Sequence, residues 1–285
     1  VTVRGGQLRR ISHVNATASA QVKSALLLAG LRAKGGVEII EPIASRDHGE
    51  TMLRAFGCDV KAAHGKISLS DGCRLSATTV HIPGDPSSAA FPLVAALISP
   101  GSKISVRSVM INPLRFGLFD TLREMGARID VAPRGQLGGE AVADITIGHG
   151  ALRGIEVPAD RAPSMIDEIP ILAVAAAFAS GRTFLNGLGE LRVKESDRLA
   201  TIVAGLRACG VDASEECDSL VIVGADGPPP GGGFVEAHGD HRIAMSFLVL
   251  GLASRSPVTV DSAASIATSF PGFANLMRTI GARIA

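Results

Sequence analysis

The densest group of charged side chains in this sequence runs from Arg192 to Arg198 and reads Arg-Val-Lys-Glu-Ser-Asp-Arg. If this stretch is helical, Lys194 shares a helix face with Asp197 and with Arg198, because residues three and four apart are neighbours there. One interpretation is a solvated face of ion pairs. The density of charge in an otherwise apolar chain favours the other interpretation, a site for an anionic ligand.

Three other clusters combine charged, hydroxyl or imidazole side chains. In Asp240-His241-Arg242, directly before an apolar stretch, a histidine allows an acid–base role, although capping or core-edge histidines are more common. The other two clusters are Ser45 to His48 and Arg161 to Glu168. No GxSxG, HExxH, Walker or GxGxxG motif occurs, so the sequence predicts no glycine-rich cradle of the nucleotide-binding kind.

The charge balance argues against nucleic acid and membrane partners. Lys and Arg number 28 and Asp and Glu number 27, which leaves a net charge of +1 and no strong basic field. Trp and Tyr are absent, so base stacking would depend on Phe alone. The longest apolar runs, such as Ile171 to Ala179, fall well short of the roughly 18 residues that a membrane span needs.

The four cysteines, at positions 58, 73, 209 and 217, form no CxxC pair. This spacing predicts neither a zinc site nor a disulfide framework, and it favours thiols in a reducing cytoplasm. Residues Val1 to Gly6 contain no apolar region typical of a signal peptide, which agrees with a cytoplasmic location.

The chain contains an internal repeat, and the elements of this repeat would position the charged clusters. Four times, a turn containing Ser or Asp leads into an Ala/Leu-rich stretch, then a β-branched stretch and a second helix that ends at a glycine. This predicts an α/β fold of helix–strand–helix–strand units, with the helices either inside or outside the sheets. Gly135 to Glu140 and Asp226 to Gly233 are predicted loops. The turns contain Ser19, Ser87, Ser164 and Asp240, and the glycines are Gly57, Gly126, Gly210 and Gly281.

Each such turn is a predicted helix start, where free backbone N–H groups and the helix dipole attract anions. Several converging helix starts would form an anion-selective cleft. For each turn taken alone, however, an ordinary N-cap is the favoured interpretation.

Taken in order, the motifs resemble those of the 3-phosphoshikimate 1-carboxyvinyltransferase (EPSP synthase) family from about Thr17 to the end. The forms around Gly84 and Ala162 look like the bacterial branch known for glyphosate-insensitive members. The motifs are Ser19-Ala20-Gln21, Gly84-Asp85-Pro86-Ser87-Ser88-Ala89, Asp167-Glu168, Arg192 to Arg198 and Asp240 to Met245.

The resemblance implies transfer of the enolpyruvyl group of phosphoenolpyruvate to the 5-hydroxyl of shikimate 3-phosphate, with release of phosphate. It implies addition then elimination, in the pathway to chorismate and the aromatic amino acids, with no metal or other cofactor. The implied fold is a repeat-built inverted α/β barrel of the enolpyruvyl transferase type, with two domains of three repeats and the active site in the cleft.

Family members are roughly half as long again, and the missing part is N-terminal. The resemblance therefore implies one domain nearly whole and one partial. Residues 1–83 are expected to be the C-terminal remnant of the shikimate-phosphate domain, and residues 84–285 the second domain, of three repeats. An N-terminal segment of the same enzyme is a further expected partner, besides the two substrates.

The resemblance also implies roles for single residues. Asp167 matches the acceptor of the 5-hydroxyl proton, and Glu195 matches the acid–base group for the phosphoenolpyruvate methylene. Lys194 matches a substrate-binding lysine, and it is expected to take part in catalysis. The remaining matched positions bind substrate: Ser19, Ala20, Gln21 and Arg46 for shikimate 3-phosphate, and Arg198 and Arg242 for phosphoenolpyruvate.

Two positions depart from the other main branch of the family. Glu190 stands where that branch has Asn, and the segment Ile266 to Phe270 lacks its Lys. Two alternatives stay open: a non-catalytic fragment that binds anions or an N-terminal segment, and enolpyruvyl transfer to UDP-N-acetylglucosamine. The Arg192 to Arg198 motif argues against the latter.

Overall fold

The structure is a computed structural model that describes Thr2 and Arg4–Ala285. The chain forms two compact units. The first contains the described residues up to Pro83 together with residues 111–115 and 135–142, and the second contains residues 84–110, 116–134 and 143–285. Whether these units are the two domains that the resemblance implies stays a prediction.

The first unit packs two helices on a four-stranded sheet. The strand order is β1-β2-β4-β3; β1 runs parallel to β2, and the pairs β2–β4 and β3–β4 are antiparallel. Leu27 and Leu53 from the helices pack with Val37 and Ile39 of β2 in one core. The elements are β1 (Arg9–Val14), α1 (Ala20–Gly30), β2 (Lys34–Ile40), α2 (His48–Ala55), β3 (Val60–Ala63) and β4 (Lys66–Leu69).

The second unit is built around three buried helices, α3 (Pro86–Ile98), α5 (Ile169–Ala177) and α7 (His241–Ala253). All residues of α5 are apolar and buried, which is the pattern of a helix surrounded on every side. The structure thus puts these helices inside, an alternative that the sequence left open. The other helices are α4 (Gly117–Glu124), α6 (Arg198–Ala208) and α8 (Phe273–Thr279).

The remaining strands form three sheets, ordered β5-β7-β6, β10-β11-β9-β8 and β12-β13. They belong to the second unit except for residues 135–137 of β6 and 140–142 of β7, which belong to the first. The strands are β5 (Lys103–Met110), β6 (Ile129–Leu137), β7 (Glu140–Gly148), β8 (Glu156–Val157), β9 (Arg182–Leu185), β10 (Asp212–Glu216), β11 (Ser219–Val223), β12 (Phe234–Val235) and β13 (Thr259–Val260).

The glycines predicted to end the second helix of each repeat all lie just beyond a helix, at positive φ. A left-handed residue at this position satisfies the last helical carbonyls, and glycine adopts it without steric cost. This prediction is confirmed, and so is the loop at Asp226 to Gly233, which lies between β11 and β12. The four positions are Gly57, Gly126, Gly210 and Gly281.

The loop prediction for Gly135 to Glu140 is wrong. Residues up to Leu137 belong to β6, and Glu140 begins β7. Only Gly138 and Gly139 form the turn, and both have positive φ, as the two-residue turns of tight hairpins require. In the first three repeats the second helix is likewise followed by two strands rather than the single strand expected.

The cysteine prediction is also wrong in part, because Cys58 and Cys73 form a disulfide with their Cα atoms 5.7 Å apart. Their 15-residue separation spans β3 and β4, and this hairpin brings the two sulfur atoms together. Cys209 and Cys217 are free thiols, as expected. Burial raises the pKa of the Cys209 thiol to about 11.

Candidate functional site

The second unit brings together the starts of α3, α5 and α7. Ser87 in the first turn of α3 donates a hydrogen bond to Oε1 of Glu168, the residue before α5, and both side chains are buried. Arg242 at the start of α7 donates from Nη1 to the backbone oxygen of Asp167, at 3.2 Å. The starts of these three helices therefore converge. The N-cap interpretation is wrong for Ser87, because Asp85 caps α3, and for Ser164, which ends a 3-10 helix before α5.

Arg198 is the centre of this arrangement, with a side chain only 1% exposed. Its Nε donates to Oδ2 of Asp240 at 2.6 Å, and its Nη2 donates to Oε2 of Glu195 at 2.5 Å. Its Nη1 lies 3.6 Å from Oδ1 of Asp167, and this buried nitrogen makes no hydrogen bond with the described residues. Three carboxylates from three segments thus surround one guanidinium.

Asp240 is fully buried and has two tasks. It caps α7 by accepting from the backbone N–H of Arg242 at 2.9 Å, and it holds Arg198. Burial alone would raise the pKa of Asp240, but the hydrogen bond and charge of Arg198 and the two backbone N–H groups outweigh it and lower the pKa. The carboxylate is therefore ionised, and it fixes the guanidinium in place.

Asp167 is more accessible than Asp240, with 15% of its side chain exposed. Its Oδ2 lies 4.0 Å from Nη2 of Arg242, whose side chain is 18% exposed. A carboxylate that reaches solvent beside two arginines is suited to accept a proton from a ligand that the arginines hold. Glu195, half-exposed on the other side of Arg198, is a second accessible carboxylate.

Lys194 does not share a helix with Arg198, so the helical interpretation of this motif is wrong. Residues Gly189–Val193 form a short 3-10 helix, and α6 begins only at Arg198 because the Asp197 side chain caps it by accepting from the N–H of Ala200 at 3.1 Å. Lys194 donates instead to Oε1 of Glu190 at 2.5 Å.

The interpretation of the motif as a solvated face of ion pairs is right for Arg192. This side chain makes ion pairs with Glu215 at 2.8 Å and with Asp197 at 3.5 Å, on a partly exposed surface. The Arg192 to Arg198 segment therefore combines a surface ion network at one end with a buried guanidinium at the other.

His241 is the first residue of α7 and is partly buried. Burial, followed by the positive charge of Arg242, lowers the pKa of its imidazole. The ring is therefore neutral at neutral pH, and its structural and acid–base interpretations both stay open.

The predicted residues Ser19, Ala20, Gln21 and Arg46 lie in the first unit. Ser19 caps α1, since its hydroxyl accepts from the N–H of Val22 at 3.3 Å, so the N-cap interpretation is correct for it. Ala20 is the first residue of α1, Gln21 is exposed, and Arg46 lies in the connection between β2 and α2.

Sequence reasoning missed a buried ionic cluster in this same unit. Lys23 on α1 lies between Glu41 and Glu50, and all three side chains are buried. One signal was present in the sequence: a lysine within the apolar stretch that follows Ser19.

The described residues hold no group of three or more His, Cys, Asp or Glu side chains placed to bind a metal ion. Across Thr2 and residues 4–285, every helix is too short or too polar to cross a membrane.

The comparisons with known proteins agree with one another. Residues 1–277 match the family model described as EPSP synthase (3-phosphoshikimate 1-carboxyvinyltransferase). The chain is 56% identical over 288 residues to a protein of Phenylobacterium zucineum named 3-phosphoshikimate 1-carboxyvinyltransferase. It is also 56% identical, over 293 residues, to a protein of Caulobacter vibrioides (strain NA1000 / CB15N) with the same name.

A solved structure titled EPSP synthase from Acinetobacter baumannii resembles this one with a TM-score of 0.88 and 45% identity, over 98% of this chain and 64% of that one. This agreement confirms the expected α/β fold of the enolpyruvyl transferase type. The match covers all of this chain in both relatives, but it covers only 64% of the Phenylobacterium protein and 66% of the Caulobacter protein.

Proposed function

The chain belongs to the EPSP synthase family, and we propose that it supplies catalytic and binding groups for enolpyruvyl transfer from phosphoenolpyruvate to the 5-hydroxyl of shikimate 3-phosphate. Phosphate is the second product. The observation that carries this proposal is the group of Asp167, Glu195 and Asp240 around Arg198, at the starts of α5, α6 and α7. Both substrates are anions, so a site for them needs cations as well as proton acceptors.

In this proposal Asp167 takes the proton of the 5-hydroxyl as the new C–O bond forms. Its partial exposure allows the hydroxyl to approach within hydrogen-bond distance, and the two arginines beside it can hold the anionic substrate there. Glu195 transfers a proton to the methylene carbon of phosphoenolpyruvate, and removes one from the resulting methyl group when phosphate leaves. Its half-exposed position beside Arg198 is suited to both steps.

The cations bind the phosphate and carboxylate groups of the substrates. Arg242 and Lys194 each keep about a fifth of their side chain exposed. Arg198 is almost fully buried, and only its Nη1 has no hydrogen bond with the described residues. A guanidinium offers paired N–H groups to an oxyanion, so Arg242 is the better placed arginine for a first contact with phosphoenolpyruvate.

In the first unit, Ser19, Ala20, Gln21 and Arg46 bind shikimate 3-phosphate in this proposal. Ser19 and Gln21 offer polar side chains, Ala20 offers only its backbone, and Arg46 offers a positive charge. The support is the matched family motif and the placement of three of these residues in the first turn of α1 and its cap. No metal or other cofactor enters the proposed reaction.

Several finer points belong to the proposal. They are a cytoplasmic location, membership of the glyphosate-insensitive branch, one nearly whole and one partial domain, and an N-terminal segment as a partner. The incomplete coverage of the relatives supports the partial domain. The motif forms Gly84 to Ser88 and Ala162 to Glu168 support the branch assignment, and inhibition of turnover by low concentrations of glyphosate would contradict it.

The same coverage favours a second candidate function, a non-catalytic module that binds anions without turnover. Phosphate release distinguishes the two. The chain is supplied with both substrates, first alone and then with the residues of the Phenylobacterium relative that lie outside the match. Release in either mixture supports the proposed transfer. Binding of shikimate 3-phosphate without release in both mixtures would support the module instead.

A further inference from the structure

A buried ionic cluster lies in the first unit, where β1 and β2 end. The cluster consists of Asn15, Lys23, Glu41, Ser45 and Glu50, which come from the β1–α1 connection, α1, the β2–α2 connection and α2. The Nζ of Lys23 lies 3.0 Å from Oε2 of Glu41 and 2.7 Å from Oε1 of Glu50. Oε1 of Glu41 also accepts from Nδ2 of Asn15 at 2.7 Å and from the Ser45 hydroxyl at 2.5 Å.

Stability alone does not account for this cluster. The side chains of Lys23 and Glu50 are 1% exposed and that of Glu41 is 4% exposed, so three charges have been removed from water. Replacing buried ion pairs by apolar side chains of similar volume is often neutral or stabilising. The carboxyl of Glu41 is nevertheless ionised. Burial alone would raise its pKa, but hydrogen bonds from Ser45, Lys23 and Asn15 outweigh burial and lower the pKa.

The cluster connects the two segments that carry the proposed shikimate 3-phosphate residues. Asn15 holds the start of α1, because its Nδ2 donates to the backbone oxygen of Ser19 at 3.1 Å and its Oδ1 accepts from the N–H of Ser19 at 3.3 Å. On the other side, the backbone oxygen of Ser45, the residue before Arg46, accepts from Nζ of Lys23 at 3.2 Å. Glu41 binds both segments through the same carboxylate.

We propose that Glu41 is a positioning residue for shikimate 3-phosphate binding and that Lys23 acts with it. The carboxylate fixes Ser19–Gln21 and Arg46 relative to each other before the ligand arrives. Binding then does not have to order two separate segments, so less of the interaction free energy is lost to entropy. Neither Glu41 nor Lys23 touches the ligand in this proposal. The inference rests on the proposed function, because that function assigns the ligand to Ser19–Gln21 and Arg46.

The test compares two glutamates that lie three residues apart in the sequence. Glu41→Gln removes the negative charge of Glu41 while keeping the size of the side chain. Glu38→Gln is the matched control, because Glu38 lies on β2, three residues before Glu41, and also pairs with a lysine, Lys66, at 2.9 Å, but on the surface. The assay is phosphate release in whichever mixture turns over.

We expect Glu41→Gln to raise KM for shikimate 3-phosphate about 10-fold or more, since small displacements of binding groups have effects of this size. The kcat and the KM for phosphoenolpyruvate stay unchanged, because the loss is in the binding of one substrate. Glu38→Gln changes none of these values. Ser45→Ala, which removes one hydrogen bond and no charge, gives a smaller increase in the same KM and is the variant to use if Glu41→Gln does not fold.

A lower melting temperature with unchanged KM values would overturn the inference, because it would show a purely structural role. Equal increases in both KM values, or the same change in Glu38→Gln, would overturn it too. The proposed function fails separately, if the unaltered chain neither turns over nor binds shikimate 3-phosphate in either mixture, and the inference then falls with it.

Discussion

Both units bury a cation against carboxylates close to a helix start, but they use it differently. In the second unit the cation is Arg198, and two of the three carboxylates around it, Asp167 and Glu195, are exposed enough to meet a ligand. In the first unit the cation is Lys23, and both carboxylates beside it are buried. A buried cation paired with carboxylates can therefore form part of a reaction site, or it can support such a site without contacting the ligand.

The helix that follows Asp167 and the helix that contains Lys23 also differ in their surroundings. Helix α5 is buried along its whole length, whereas α1 leaves Val22 and Leu28 exposed, by 42% and 57%. Both helices arise from the same repeat pattern of a polar turn and an apolar stretch. The difference teaches that an apolar stretch of a repeat becomes an inner helix only where enough neighbouring repeats surround it.

The largest expected effect concerns the accessible carboxylates of the second unit. Asp167→Asn and Glu195→Gln each lower kcat by about 10²- to 10⁴-fold, because each removes a proton-transfer group. The affinity for shikimate 3-phosphate, measured by calorimetry, changes far less. Asp160→Asn, an exposed aspartate seven residues before Asp167, is the control and keeps full activity. An equal loss of turnover and binding would mean that these groups only bind or support the fold.

The buried lysine of the first unit gives the next largest effect. Lys23→Met leaves Glu41 and Glu50 buried without their cation, and breaking a buried ion pair in this way costs about 3–5 kcal/mol of the free energy of unfolding. Urea denaturation followed by circular dichroism measures this loss. Lys66→Met, which breaks the surface pair with Glu38, costs about 0–1 kcal/mol. Similar losses in the two variants would show that Lys23 is solvated, and the comparison of the units would fail.

The disulfide sharpens the comparison, since the structure places Cys58–Cys73 in the first unit and only free thiols in the described part of the second. A link across a 15-residue separation stabilises by about 3 kcal/mol when it constrains the unfolded chain. Dithiothreitol should therefore lower the free energy of unfolding by about this amount. The variant with both Cys58→Ala and Cys73→Ala should show no response. Alkylation of all four cysteines without prior reduction would show that the disulfide is not formed.

The smallest effect is expected on the exposed face of α1. Leu28→Lys changes the free energy of unfolding by no more than about 0.5 kcal/mol, as is usual for surface positions. Leu97→Ala in the buried helix α3 costs about 2–5 kcal/mol by comparison. Both values come from urea denaturation of the 285-residue chain. A loss above 2 kcal/mol for Leu28→Lys, of the order expected for core positions, would mean that this face of α1 is covered.

The amino-acid sequence predicted the features that depend on a few neighbouring residues. The caps at Ser19 and Asp240 and the left-handed glycines after the second helices were predictable, because the preference of one residue type for one backbone conformation decides them. The hairpin around Gly138 and Gly139 was missed although it is also local, since two adjacent glycines are equally typical of a loop.

The candidate site was predictable only as a list of residues. That Asp167, Glu195 and Asp240 all reach Arg198 depends on how α5, α6 and α7 pack, and these residues lie up to 73 positions apart in the chain. The Glu41 cluster and the disulfide likewise depend on contacts between separate elements. By itself the sequence determined the order of the elements and the residue types at their ends, because backbone preferences act locally. Only the tertiary structure decided which charges meet, because the energy of a buried charge depends on its neighbours in space.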